Sequence, residues 1–186
     1  MIELLPWTRR NWSFDLPVRA FPALLERIRG TPARADELGS GVDDRLLGVR
    51  PSGSWSAKEH VGHLVDLGDL DSRRLDEYLA GAKVLSAADM GNRCTEEAGH
   101  NSVQFTDIIA RLRRHRIEFV EQLQSLSEEQ VSATAEHPRL RREMRLIDWV
   151  QFVAEHDDHH LAGARAALRA VRAVSLGSIH AAREIR

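Results

Sequence analysis

The sequence predicts an all-α fold, built from four principal helices with one long connection between the second and the third. Three observations predict it. Apolar residues recur at three- and four-residue spacing through four long stretches, the period that places them on one face of an α-helix. Helix-starting and helix-stopping residues bracket those stretches. Nothing elsewhere reads as a large sheet or as an internal repeat.

The first helical stretch spans roughly 17–38, with Phe21, Leu24, Leu25 and Ile28 as its apolar stripe. Gly30-Thr31-Pro32 interrupts it, and Thr31 before Pro32 is a good N-cap and first-turn pair for a second segment. Asp36 and Glu37 follow in the second turn, where the helix dipole favours carboxylates only weakly. A polar link with Gly39, Gly41, Pro51 and Gly53 leads to the second helix. Ser56 is its expected N-cap, Glu59 three residues on completes a capping-box pattern, and Gly81 supplies the stop after about Leu79. His63, Leu67, Leu70 and Tyr78 lie close to one stripe, with Arg74 in the same register.

Residues 82–101 lack clear periodicity, and a link of that length suits a crossover or an active-site loop rather than a tight hairpin. The third helix is expected from about Ser102 to Leu126, with Phe105, Ile108, Ile109, Leu112, Phe119, Val120 and Leu123 inward. Ser127-Glu-Glu-Gln starts a short extra turn, and residues 133–144 read as loop with room for a short extended pair. The fourth helix spans roughly 146–171, its inward series being Leu146, Trp149, Val153, His156, His160, Ala164, Ala167 and Val171. Residues 1–174 make a single domain, and 175–186 form a weakly patterned tail or short terminal helix.

Bulk properties narrow the function classes. The 186 residues suffice for one domain with a substantial core and are too few for two comfortable ones. Hydrophobic residues make up 42% and charged residues 29%, an ordinary globular composition. A formal charge of −2 and a pI near 6.5 argue against a nucleic-acid binder, and the arginine-dense run around ARLRRHR reads as a solvated helix face. A single cysteine, Cys94, excludes an intrachain disulfide and makes a reducing compartment the default. The opening MIELLPWTRRNWSFDLP lacks the pattern of a signal peptide, and no window is apolar enough for a membrane span. The sequon at Asn11 is therefore a chance match. A cytoplasmic chain with no membrane and no nucleic-acid partner is expected.

Two inward positions of the fourth helix are histidines. His156 and His160 are spaced i, i+4, so both imidazoles lie on one face, one turn apart. A polar group on a buried stripe costs free energy unless it finds a partner, and a metal ion is one such partner. His63 is the third inward histidine, and a hydrogen-bonded core residue and a ligand both fit it. Three imidazole nitrogens would leave open positions on a divalent ion, as at catalytic rather than structural sites. Because ligand imidazoles must be neutral, binding is expected to weaken below about pH 6.

The remaining polar residues read differently. His159 points about 100° away from His160, towards the rim, and His60, one turn before His63 and within reach of the site, fits the helix flank better. His115 reads as exposed and His180 falls in the tail, while His100 and His137 lie in loops at a pocket mouth. Asp157 and Asp158 read as solvated or as partners of the ligands, and Glu155 as a weaker candidate base. Arg74 and Arg116 fit interhelical ion pairs better than an anion clamp. Nothing around Cys94 supports a lowered pKa.

The segments WSAKEHVGHL (55–64) and AEHDDHHLA (154–162), with NWSFDLP (11–17) and HPRL (137–140), resemble the DinB/YfiT-like superfamily over nearly the whole chain. The resemblance implies a four-helix bundle with a long crossover, and a metal triad of one histidine before a leucine on the second helix plus an HxxxH pair. Residue by residue these are His63, before Leu64, and His156 and His160. One departure is Arg145, where a threonine cap is common, which weakens the start of the fourth helix.

Relatives of that kind include metal-dependent transferases and isomerases that use low-molecular-weight thiols, and some form dimers. The resemblance therefore implies a zinc, nickel or iron enzyme with a thiol cosubstrate and a small-molecule substrate, in a possible homodimer. A metal-dependent hydrolase and a non-enzymatic metal-binding stress protein are the competing readings. In the enzyme reading the crossover around 89–100 walls the pocket.

Overall fold

The computed structural model describes residues 2–184, with side chains over 2–174. Its helices are α1 (Phe21–Arg29), α2 (Thr31–Gly39), α3 (Asp44–Leu47), α4 (Ala57–Asp66), α5 (Gly68–Leu79), α6 (Arg93–Glu97), α7 (Phe105–Gln124), α8 (Glu128–Ser132) and α9 (Leu146–Glu184). A two-stranded hairpin, β1 (Thr134–His137) and β2 (Arg142–Arg145), precedes α9. The four expected helices are present, and the first two are each broken in the middle. They are α1 with α2, α4 with α5, α7, and α9.

The first break falls at Gly30, as the sequence predicts, but Thr31 does not cap α2. It is the first helical residue, and its hydroxyl donates to Asp157 Oδ2 at 2.8 Å on α9. The second break, at Leu67, has no counterpart in the apolar pattern. Ser56 and Glu59 form the expected capping box at the start of α4. At α9 the cap that Arg145 lacks is replaced from inside the helix: Asp148 accepts both the Arg145 N–H and its guanidinium. Helix α9 continues to Glu184, through the stretch assigned to a weakly patterned tail. The side chains of that stretch, His180 among them, lie outside the described residues.

Helix α9 packs against α1, α2 and α4, and α7 against α1, α2 and α4. The crossover from α5 to α7 is tied down at its start, where Leu85 N–H donates to Glu136 O at 3.0 Å and Glu136 N–H to Lys83 O at 2.8 Å. Within the hairpin Ala135 pairs with Met144 and His137 with Arg142.

The interior divides into two apolar clusters. One gathers around Trp149, Leu75, Phe119 and Met144, the other around Leu64, Ile108, Leu112 and Ala164. Between them the chain places Arg116, Asp71 and Asp157. Two of them lie between residues of the two clusters on their own helices: Arg116 between Leu112 and Phe119, Asp157 between Val153 and Leu161. Arg116 donates to Asp71 Oδ2 at 2.8 Å and to Asp157 Oδ1 at 2.6 Å, with its side chain 2% exposed. The expectation of an ion pair for Arg116 holds. The expectation that Asp157 is solvated or attends the metal ligands does not, because α9 is covered on several sides and Asp157 is fully buried. Among the described residues no helix is long and apolar enough to cross a membrane.

Candidate metal centre

Residue spacing and helix packing bring the three predicted histidines together. His156 and His160 stand one turn apart on α9, and α4 lies against that face, presenting His63. One ring nitrogen from each lies within 4.8 Å of the others. His156 Nε2 and His160 Nε2 are 3.1 Å apart. Two nitrogens about 2.0–2.1 Å from a common ion at tetrahedral or octahedral angles stand roughly 2.9–3.4 Å from each other, so this pair has ligand spacing. No cysteine or carboxylate among the described residues joins the cluster as a fourth ligand.

Hydrogen bonds set the ring tautomers. Thr95 Oγ1 donates to Asp66 Oδ2 at 2.8 Å and lies 2.9 Å from His63 Nδ1. The hydroxyl proton is committed to Asp66, so Thr95 accepts from His63 Nδ1–H, and the lone pair of His63 is on Nε2. Asp66 also accepts from His100 Nε2 at 2.9 Å. His100 is buried against Gly62, where any side chain would strike its ring. It therefore backs the site from behind and does not line the pocket mouth.

His60, read as a flank residue, sits at the site instead. Its Nδ1 is 3.1 Å from His160 Nδ1, and its ring rests over Gly163, which leaves the space a side chain would fill. His159 is half-buried at the cavity wall, as its angle from His160 requires. His115 is not exposed; it is half-buried against Gly68.

Burial penalises the charged imidazolium throughout. It holds His63 and His60 at about 4 and puts His156 and His160 well below the ordinary histidine range, with the neighbouring histidines adding to the effect on the last two. Neutral rings with free lone pairs are what a divalent cation requires. The donor set therefore fits a metal of the zinc, nickel or iron group.

The three histidines open on a cavity of 1390 Å³. Trp7 and Trp55 wall it, with ring centroids 4.8 Å from His156 and 5.0 Å from His63. Both tryptophans lie outside the main helices, and helical periodicity carried no signal for either. The crossover contributes Ala87, Ala88, Asp89, Met90 and Asn92, so the wall overlaps only the start of the expected 89–100 and begins two residues before it. Cys94, by contrast, is exposed and not among the lining residues. Glu155 is held by Arg10 and Arg27, and Asp158 by Arg27 and Arg34. Neither carboxylate reaches the histidines.

The fold is similar to solved structures. Over 86% of this chain and 92% of the other, it superposes with a TM-score of 0.75 and 16% identity on YfiT from Bacillus subtilis, described as a probable metal-dependent hydrolase with an unusual four-helix bundle topology. A mycothiol-dependent maleylpyruvate isomerase matches with a TM-score of 0.62 and 13% identity over 81% of this chain; the match spans 62% of that longer protein. No curated protein matches the sequence. The family model of the DinB superfamily matches residues 27–164, a span that contains His63, His156 and His160. The chain belongs to the DinB superfamily.

Proposed function

We propose that this protein is a metal-dependent enzyme of the thiol S-transferase or isomerase type, with His63, His156 and His160 as ligands. The observation that carries the reading is three lone-pair-bearing imidazoles converging on a deep cavity with no fourth protein ligand among the described residues. Structural sites are closed by four protein ligands, whereas catalytic sites keep a position open. A divalent cation held there supplies a Lewis acid that lowers the pKa of a coordinated thiol or water.

The chain's own residues do the rest. Thr95 and Asp66 fix the His63 tautomer, His60 braces His160, and Trp7 and Trp55 exclude bulk water from the histidines' sides. The cavity exceeds the roughly 300–1,000 Å³ of an ordinary single-ligand site. That room favours a thiol cosubstrate with a small acceptor beside it. The second reading, hydrolysis, is supported by the description of YfiT and would use the same ligands with water as nucleophile.

The test begins with elemental analysis of protein purified without a metal-binding tag, alongside His160→Ala. About one equivalent of divalent metal, lost in the variant, with thiol consumption in the presence of an electrophile, is the expected result. Bound metal with ester hydrolysis and no thiol dependence selects the hydrolase. No metal retained or taken up on titration removes both.

A further inference from the structure

Besides the three histidines, the same cavity is lined by Arg74, His137 and Arg139. His137 is 2% exposed, and its Nδ1 accepts from Leu140 N–H at 3.3 Å. Its ring proton therefore lies on Nε2, which has no partner among the described residues. Arg139, in the turn between β1 and β2, has Nη2 buried and likewise unpartnered. Among the described residues no carboxylate stands within ion-pair distance of it; its guanidinium lies over the Phe152 ring, 5.5 Å from the centroid. Arg74 is 5% exposed and spends Nε and Nη2 on one carbonyl, Ser86 O. Asp71 is engaged with Arg116, and Glu77 with Ser86.

Buried donors are rarely left unmatched, and here two unmatched donors, His137 Nε2 and Arg139 Nη2, belong to residues that line one cavity. We infer that Arg139 and His137, with Arg74 beside them, form a subsite for the carboxylate of a small organic acid. Arg139 brings one positive charge in a planar fork and His137 one neutral N–H, a donor set suited to the flat monoanion. Burial lowers the pKa of both Arg74 and Arg139, whereas Arg116, with two carboxylates in contact, is raised. Neither of the first two cations has a carboxylate in ion-pair contact among the described residues, as Arg116 does.

Position supports the same inference. The His137 ring lies 5.0 Å from that of Phe152, and Phe152 precedes His156 by four residues, about 6 Å along the helix axis. A carboxylate held at Arg139 would place the rest of a compact molecule at the three histidines. As a substrate subsite, this rests on the proposed metal-dependent activity; as an anion site it stands without it.

The experiment follows histidine ring signals by nitrogen-15 NMR during titration with butyrate, butyramide and inorganic phosphate. In the wild-type protein butyrate should shift His137 saturably, and butyramide should not. Arg139→Gln should weaken butyrate at least about tenfold, with Arg139→Lys in between and Arg113→Gln, an exposed control paired with Asp36, unchanged. His156→Ala should keep butyrate binding while losing metal, so the subsite and the metal reading fail separately. Absence of a saturable His137 shift, equal response to butyramide, tighter binding of phosphate, or full affinity in Arg139→Gln would each overturn the inference.

Discussion

Thr95 Oγ1 lies 2.9 Å from His63 Nδ1 and gives its own proton to Asp66, so a threonine on the crossover orients a histidine of α4. Groups that orient metal ligands typically contribute 10- to 100-fold to affinity. Thr95→Val should lower metal affinity by roughly that factor, and Thr95→Ser should restore it. Chelator-competition titrations measure the effect. A Thr95→Val protein with wild-type affinity would show that the tautomer of His63 is set elsewhere.

The ligands themselves are expected to behave as a unit. His156→Ala or His63→Ala should abolish stoichiometric binding while leaving the far-UV circular dichroism of the bundle nearly unchanged. The two core clusters are built from other residues. One full equivalent of metal retained in either variant would refute the triad.

Much of this arrangement was legible in the sequence because it depends on spacing. The i, i+4 pair His156 and His160, the capping box at Ser56, and the apolar stripe of α7 are local features that the helix period exposes. The position of Asp157 was not legible. It lies one residue from His156, yet it is buried on another side of α9, because that helix is covered by several neighbours and has no single inward stripe. His60 was assigned to the flank, and Thr95 was missed, for a related reason. Their roles exist only after α4, α6 and α9 meet, and no pattern within one helix encodes them. Trp7 and Trp55 stand in segments without periodicity, so only the folded chain shows them as walls.

His60 is expected to act through His160. If His160 keeps its Nε2 lone pair for a cation, its Nδ1–H must donate, and His60 Nδ1 is the acceptor 3.1 Å away. His60→Phe retains the ring over Gly163 and removes the acceptor. It should lower metal affinity about tenfold or more, whereas His60→Gln, which keeps an oxygen acceptor, should recover part of it. Equal affinity in His60→Phe and wild type would reduce His60 to packing.

Arg116 is the largest single electrostatic commitment in the core. Replacing it with Met leaves Asp71 and Asp157 buried side by side without a counter-charge. Breaking one partner of such a cluster costs about 3–5 kcal/mol. Chemical denaturation should show a loss of that order. Replacing all three with apolar residues of similar volume should recover most of it, and a near-neutral Arg116→Met would contradict the buried network.

The pH dependence follows from the same burial that keeps the histidines neutral. His63 is held at about 4, as is His137, where nearby Arg74 and Arg139 add to the effect of burial. In the unfolded chain both titrate near 6.5. Between about pH 6.5 and 4 the unfolded state therefore binds protons that the folded state refuses, and stability falls as pH falls through that window. It is fully present above it. Metal affinity departs from the expectation set by free histidine. His63 keeps its lone pair to about pH 4, and burial holds His156 and His160 well below the ordinary histidine range, so binding should stay nearly flat from about pH 7 to 5 rather than weaken below about 6. Chelator-competition titrations at about pH 7, 6 and 5, paired with thermal melts of metal-free protein, separate the two effects. Melting temperatures that drop while affinity holds are the expected outcome. A steep loss of affinity between about pH 7 and 6 would mean that the ligand imidazoles titrate as if exposed, against the enclosed geometry of the site.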